Sequence, residues 1–276
     1  MNNTVLVWDL ETVPDLEGFA RANDLVGKSP EEIRESIGTG FPKHIYHSIV
    51  CIGALLAQRT TLGWSVTAAG APHVGECSEK ELIERFVAKV EELDPQMVTF
   101  NGCSFDLPVL RYRSMIHSIS APGLAARSYY HRFTDDAVDL CDVLSAYSPG
   151  GKSRLDEITR IMGLPGKPEG ISGDRVDEFY RAGKIQEISD YCRSDVINTY
   201  RLWLRYELFR GKLGQNEFEA SEADVAKHVT SVATPANLVV KIESGIIVQG
   251  PNSAVTANDQ VFPSSAADAK LARPFR

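Results

Sequence analysis

VLVWDLETVPD, residues 5–15, joins an apolar run to a pair of carboxylates. Val5, Leu6, Val7 and Trp8 are β-branched or large apolar residues of the kind that fill a central strand, so a strand is predicted over residues 4–11, with Pro14 ending it. Residues i and i+2 of a strand share a face, so Asp9 and Glu11 project together, roughly 7 Å apart, while Leu10 points the other way. Acids placed like this repel unless a cation lies between them, and hard carboxylate oxygens suit Mg2+. A D-x-E pair by itself is more often two solvated acids at a strand end, so its meaning depends on the rest of the chain.

Outward from that strand, the pattern is mixed α/β. Ser29-Pro30-Glu31-Glu32 and Ser78-Glu79-Lys80-Glu81 are capping boxes that open helices, the first running to about Ile37. The second helix places Leu82, Phe86, Val87, Val90 and Leu93 on one stripe. Strands are predicted over 49–58 and 62–70, with a turn at 59–61, and over the short apolar run MVTFN, 97–101. A helix follows from Phe105, with Pro108 tolerated in its first turn. Residues 119–135 read as loop and 137–148 as a short strand or helix entry. Ser153 is expected to cap a helix reaching Ile161, ahead of a glycine- and proline-rich loop at 163–174. Residues 184–210 form a long amphipathic helix. Strands followed by helices in this order predict a mixed sheet covered by helices.

Two further acids sit where such a sheet brings chemistry together. Asp106 falls at a helix N-terminus just past an apolar strand, a position that the helix dipole alone favours for an acid. Tyr191 and Asp195 stand at i and i+4 on the long helix, and Ile188, Cys192, Thr199 and Leu202 continue roughly the same stripe. Asp195 therefore faces the core, where a carboxylate needs a partner. Arg193 lies on another face, whereas a metal shared with Asp9 meets the need.

In order, D-x-E at Asp9/Glu11, N-x-x-x-F-D at Asn101 through Asp106 and Y-x-x-x-D at Tyr191/Asp195 resemble the three motifs of the DEDD superfamily of 3′–5′ exonucleases, in its tyrosine (DEDDy) branch. WDLETVPD, FPKHIYHSIVCIGAL, FNGCSFDLPVLRYR and YCRSDVINTYRLWLR are similar to stand-alone exonucleases related to the proofreading domain of family B DNA polymerases. The resemblance spans residues 4–213. It implies a ribonuclease H-like α/β fold, a mixed sheet flanked by helices in a single exonuclease domain, and two Mg2+ or Mn2+ ions. By the same resemblance Asp9 bridges both ions, Glu11 and Asp195 complete the first, Asp106 holds the second, and Tyr191 orients the attacking water. Asn101 and Phe105 shape the pocket for the terminal nucleotide, and backbone at Leu10 and Thr12 touches its sugar. The implied substrate is single-stranded nucleic acid with a free 3′ end, DNA in preference to RNA. An exoribonuclease, or a non-catalytic nucleic-acid-binding module of the same fold, stays open.

The composition agrees with a metal-centred grip. The 276-residue chain carries a net charge of −8, which excludes broad phosphate neutralisation as its way of holding nucleic acid. Its five cysteines are scattered, with no C-x-x-C, so neither a zinc site nor a disulfide framework is expected. No run approaches a membrane span and the first residues do not read as a signal peptide, so a cytoplasmic location is expected. Gly150-Gly151-Lys152-Ser153 resembles the end of a P-loop, but the position of the required first glycine is Ala146; Lys152 and Arg154 are expected to cap a helix or meet substrate phosphate, with plain solvation an equal alternative. His44 and His47 read as structural or surface residues, and Arg111 and Arg113 as a solvated face or a contact to the nucleic-acid backbone. After Leu213 the aromatics thin to Phe218, Phe262 and Phe275. The expected division is an exonuclease domain at 1–213 and an appendage at 214–276, with a hairpin over 236–250 and a disordered tail.

Overall fold

The computed structural model describes residues 3–165 and 171–232. In chain order it contains β1 (Thr4–Pro14), α1 (Leu16–Ala22), α2 (Pro30–Ile37), β2 (His47–Thr60), β3 (Gly63–Gly70), α3 (Glu79–Leu93), β4 (Gln96–Thr99), α4 (Asp106–Ile116), α5 (Pro122–Ala126), β5 (Ala137–Asp139), α6 (Leu140–Leu144), α7 (Leu155–Ile161), α8 (Val176–Arg181), α9 (Ile185–Phe209) and α10 (Gln215–Val232). The five strands form one sheet in the order β3-β2-β1-β4-β5. β1 pairs antiparallel with β2 and parallel with β4, β3 adds antiparallel to β2, and β5 adds parallel to β4. This is the ribonuclease H-like mixed sheet flanked by helices.

The two faces of β1 explain the layers. Leu6, Trp8 and Leu10 pack with Leu82, Ile83, Phe86 and Val87 of α3 and with Leu107 and Leu110 of α4. Val5 and Val7 turn to the opposite face, against Val196, Tyr200 and Trp203 of α9. Asp9 and Glu11 continue that second face, so the alternation that buries the valines also aims both acids at α9. Both capping boxes are present, with Ser29 and Ser78 each exchanging hydrogen bonds with the glutamate three residues on.

Boundaries differ in places. β1 runs through Pro14, and residues 137–148 supply both a strand and a helix, β5 followed directly by α6. α1, α5 and α8 occupy stretches with no helical prediction; at five to seven residues they are too short to show a period. The cap of α7 is Arg154, whose N–H is accepted by Glu157 at 2.9 Å, and not Ser153.

Among the described residues the compact unit runs on past Leu213 through α10. Val225 on α10 and Leu213 just before it are buried in the core shared with Trp64 and Trp203. β3 is an edge strand, and α10 closes it: Ser221 Oγ accepts from Trp64 N–H at 2.8 Å and Asp224 Oδ2 from Val66 N–H at 2.7 Å. Arg59 pairs with Glu217 at 2.7 Å alongside. Gly63, at φ +130°, is required here, since a Cβ would lie 2.4 Å from the carbonyl oxygen of Glu217. An uncovered edge strand recruits other strands. Truncation after Leu213 is therefore expected to lower the melting temperature by roughly 10 °C or more and to cause aggregation, read by circular dichroism and light scattering. A truncated chain that melts with the full one and stays monomeric would show that α10 is dispensable. The expected hairpin over 236–250 and the tail beyond it lie outside the described residues.

Candidate active site

The site forms where β1 outruns β4. The parallel ladder covers only Val5 to Val7 of β1. Beyond it the Asp106 carboxylate takes the place of a strand, accepting the Leu10 N–H at 3.0 Å. A β-bulge follows between Glu11 and Thr12, a common device for aiming a side chain beside a site. The amide of Leu10 thus serves the site from within, by holding Asp106.

The opposite wall is α9, and Gly53 sets its distance. Gly53 lies across the ladder from Asp9, and a Cβ there would meet Cys192 Sγ at 2.7 Å and Val196 Cγ2 at 2.8 Å. With no side chain at that position, α9 closes on the sheet. Cys192 Sγ then lies 3.8 Å from Asp9 Oδ2, and ligand atoms of Asp9, Glu11 and Cys192 all fall within 4.8 Å of one another. Tyr191 and Asp195 are buried on the same wall, and the Tyr191 hydroxyl is hydrogen-bonded to Asp195. All four acids and Tyr191 are thereby brought together from β1, the start of α4 and the middle of α9.

Their electrostatics follow from that crowding. Burial, then the charges of Asp9, Asp195 and Asp106 among others, pushes the Glu11 carboxyl well above its ordinary value. Burial raises Asp106 to about 7, against the opposing pull of the Leu10 amide. The Tyr191 hydroxyl is pushed far up by burial and by Asp195, Glu11 and Asp9, so it remains protonated at neutral pH. Cys192 is likewise raised by burial and stays a thiol, which leaves carboxylate oxygens as the donors for a cation. Hard oxygen donors that raise one another's pKa are the donor set a divalent cation such as Mg2+ or Mn2+ fits.

The loop carrying the second motif is built on Asp139, which the sequence reading missed. Its buried carboxylate accepts from Asn101 N–H at 2.7 Å, Cys103 N–H at 2.9 Å and Cys141 N–H at 3.0 Å. Asn101 adopts φ +70°, and Gly102 leaves room where a Cβ would meet Thr99 at 2.5 Å. The signal was available: Ala137-Val138-Asp139 repeats in miniature the apolar strand that ends on an acid. Asn101 is already engaged, accepting from Lys152 Nζ at 2.9 Å and Ser104 Oγ at 2.8 Å.

A family model described as "Predicted 3'-5' exonuclease related to the exonuclease domain of PolB" matches residues 39–239. The chain belongs to this family. The matched stretch holds Asp106, Tyr191 and Asp195, while Asp9 and Glu11 precede it. Among curated proteins, a DNA polymerase of Archaeoglobus fulgidus is 25% identical over 130 residues, 44% of this chain and 17% of that protein. The catalytic polypeptide of DNA polymerase epsilon from Eremothecium gossypii is 30% identical over 139 residues, 48% of this chain and 6% of that one. The chain thus spans less than a fifth of the length of these relatives. The solved family B DNA polymerase of Pyrobaculum calidifontis is 19% identical, with a TM-score of 0.49, covering 75% of this chain and 24% of that one.

In this exonuclease-family chain the remaining candidates sort by their contacts. Phe105 sits in an aromatic group with Phe41 at 5.3 Å, His47 at 5.0 Å and His44 at 5.8 Å, ring centre to ring centre. His47 is buried, with its ring nitrogens against Thr12 Oγ1 at 2.9 Å and the Pro42 carbonyl at 3.2 Å, so it is structural and occupies the Thr12 hydroxyl. Arg113 is neither solvated nor placed for a phosphate. It is buried, donating to Glu79 from Nε at 2.7 Å and to Asp15 from Nη1 at 2.7 Å. It fastens α4, and so Asp106, to the chain just beyond β1. Arg111 lies over the Tyr130 ring at 4.9 Å. All five cysteines are free thiols. No helix among the described residues is long and apolar enough to cross a membrane.

Proposed function

We propose that this chain is a metal-dependent 3′–5′ exonuclease that removes nucleotides from the 3′ end of single-stranded DNA. The observation that carries the reading is the convergence of Asp9, Glu11 and Asp195 on the protonated Tyr191 hydroxyl, with Asp106 brought near Glu11. Family membership and the DNA polymerases among its relatives support it. Asp9, Glu11 and Asp195 would hold one Mg2+ or Mn2+ and Asp106, with Asp9, a second. Such ions supply an activated water and neutralise charge at the leaving 3′ oxygen.

The chain's own groups do the rest. Tyr191 cannot act as a base at neutral pH, so its hydroxyl orients the attacking water while leaning on Asp195. The Leu10 amide holds Asp106 at a fixed angle to β1. Phe105, packed against the 75%-exposed Phe41, offers an aromatic face to the terminal base. The overall charge of −8 suits a grip confined to the last few nucleotides.

The test is incubation with 5′-labelled single-stranded DNA and RNA oligonucleotides in Mg2+ or Mn2+. A ladder shortening from the 3′ end of DNA, absent in EDTA and in Asp9→Ala, is expected. Tyr191→Phe should lower kcat by roughly 10²-fold, the usual scale for loss of one positioned proton-handling group. Degradation of RNA alone would identify an exoribonuclease, and degradation of neither polymer under both metals would leave a non-catalytic module.

A further inference from the structure

A cavity of about 510 Å3 opens beside the second-motif loop, bordered by Cys103, Ser104, Arg132, Asp142, Tyr147 and Lys152. None of the four acids of the catalytic cluster lines it. Three features mark it as a built site. First, Asp142, only 2% exposed, holds two cations: Arg132 donates to it from Nε at 2.9 Å and from Nη2 at 2.8 Å, and Lys152 Nζ lies 3.2 Å away. Asp142 thereby fixes a guanidinium and an ammonium at the rim of the cavity, beside the buried Asp139 carboxylate that accepts from Cys103 N–H. Second, α6 ends without glycine in a place that ordinarily takes one: Ala146 and Tyr147 both sit in the left-handed region, at φ +50° and +59°, with Tyr147 N–H bonded to the Asp142 carbonyl at 2.8 Å. Keeping a tyrosine in a backbone conformation that L side chains rarely adopt points to a use for its ring. Third, that ring is paired. The Arg132 guanidinium lies 5.6 Å from its centre, and Phe133, 77% exposed, stands 4.7 Å away at 60°.

Exposed aromatics beside cations are what single-stranded nucleic acid meets: bases stack on the rings and phosphates pair with the charges. Cys103 is three residues from Asp106, so the two lie no more than about 11 Å apart along the chain, the length of about three stacked nucleotides at ~3.4 Å each. Resting on the exonuclease reading above, we propose that this cavity is a subsite for the second or third nucleotide from the 3′ end. The base stacks on Tyr147 and Phe133, and the backbone phosphate meets Arg132 and Lys152. Asp142 acts as a positioning residue that keeps both cations at the rim.

A substrate with one nucleotide cannot reach this subsite, which separates it from the catalytic centre. The p-nitrophenyl ester of thymidine 5′-monophosphate and a single-stranded dT12 are compared in the full-length chain, in Tyr147→Ala and in the conservative Tyr147→Phe. The ratio of kcat/KM for dT12 to that for the ester is expected to fall about tenfold in Tyr147→Ala, through KM, and to return in Tyr147→Phe. Arg132→Ala should lower the same ratio and weaken its salt dependence. A ratio unchanged in Tyr147→Ala, or ester and oligonucleotide hydrolysis falling together, overturns the subsite. If the unaltered chain cleaves neither substrate, the exonuclease reading fails, and fluorescence anisotropy of labelled dT12 in Ca2+ still judges this one. Binding weakened about tenfold by Tyr147→Ala supports it; no binding, or equal binding, overturns it.

Discussion

Asp106→Asn is expected to abolish hydrolysis while making the metal-free protein more stable. The amide oxygen of asparagine can still accept the Leu10 N–H that Asp106 accepts at 3.0 Å, so the junction of β1 and α4 keeps its hydrogen bond. What disappears is a buried charge. Burial has already raised this carboxyl to about 7, which means that its ionised form is held at a cost on the order of a few kcal/mol at pH 8. Relief of that cost corresponds to a rise in melting temperature of roughly 5–10 °C for a chain of this size. The same charge would neutralise a cation at the leaving oxygen, and losing an electrostatic contact of that kind lowers kcat by about 10²–10³-fold or more. Thermal melts in EDTA at pH 8, paired with the oligonucleotide assay, check both halves. A variant that loses activity and stability together would instead assign Asp106 to holding the fold.

The second large effect is a stability of the metal-free protein that declines as pH rises, and that a divalent cation restores. Glu11 is raised well above its ordinary value, and Asp106 from 3.8 to about 7. An acid whose folded pKa exceeds its unfolded one binds more protons in the folded chain, so ∂ΔG/∂pH of unfolding is negative between the two values. The contribution of these two groups is complete below about pH 4. It is lost progressively as pH rises toward 7, where Asp106 titrates in the folded chain. Because the chain holds many other titratable groups, the effect is read as the difference between this chain and a Glu11→Gln/Asp106→Asn variant across pH 5 to 8 in EDTA. Mg2+ should raise the melting temperature by about 5 °C or more at pH 8 when present at roughly 100 times its dissociation constant, and by little at pH 5. An equal rise at both pH values, or in the variant, would mean that the cation binds elsewhere.

Several elements were legible because they obey short periods. β1 announces itself by its apolar run, the capping boxes place α2 and α3 to the residue, and the i, i+4 pairing of Tyr191 and Asp195 turns both to one wall. α10 was not legible, because it docks through Ser221 and Asp224 onto the backbone of β3 and buries few large side chains. Hydrogen bonds from short polar side chains to an edge strand leave no hydrophobic stripe to read. Arg113 misled for a related reason: a cation on a helix looks solvated until the carboxylates that bury it, Asp15 and Glu79, arrive from distant positions. Likewise Cys192 read as ordinary core, yet its sulfur lies 3.8 Å from Asp9 Oδ2.

By itself the sequence determined the chemistry at issue: two acids at the end of a buried strand, one at a helix start, and a tyrosine and an acid one helical turn apart. Local periodicity alone sets which way such side chains point relative to their own element. Only the tertiary structure decided that they meet. The meeting depends on an absent side chain at Gly53 that lets α9 close, on the Leu10 amide accepted by Asp106 from 96 positions away, and on Asp139 shaping the loop between. Each of these is a backbone group satisfied, or a space left empty, by a residue far along the chain, and neither leaves a trace in a periodic pattern of side chains.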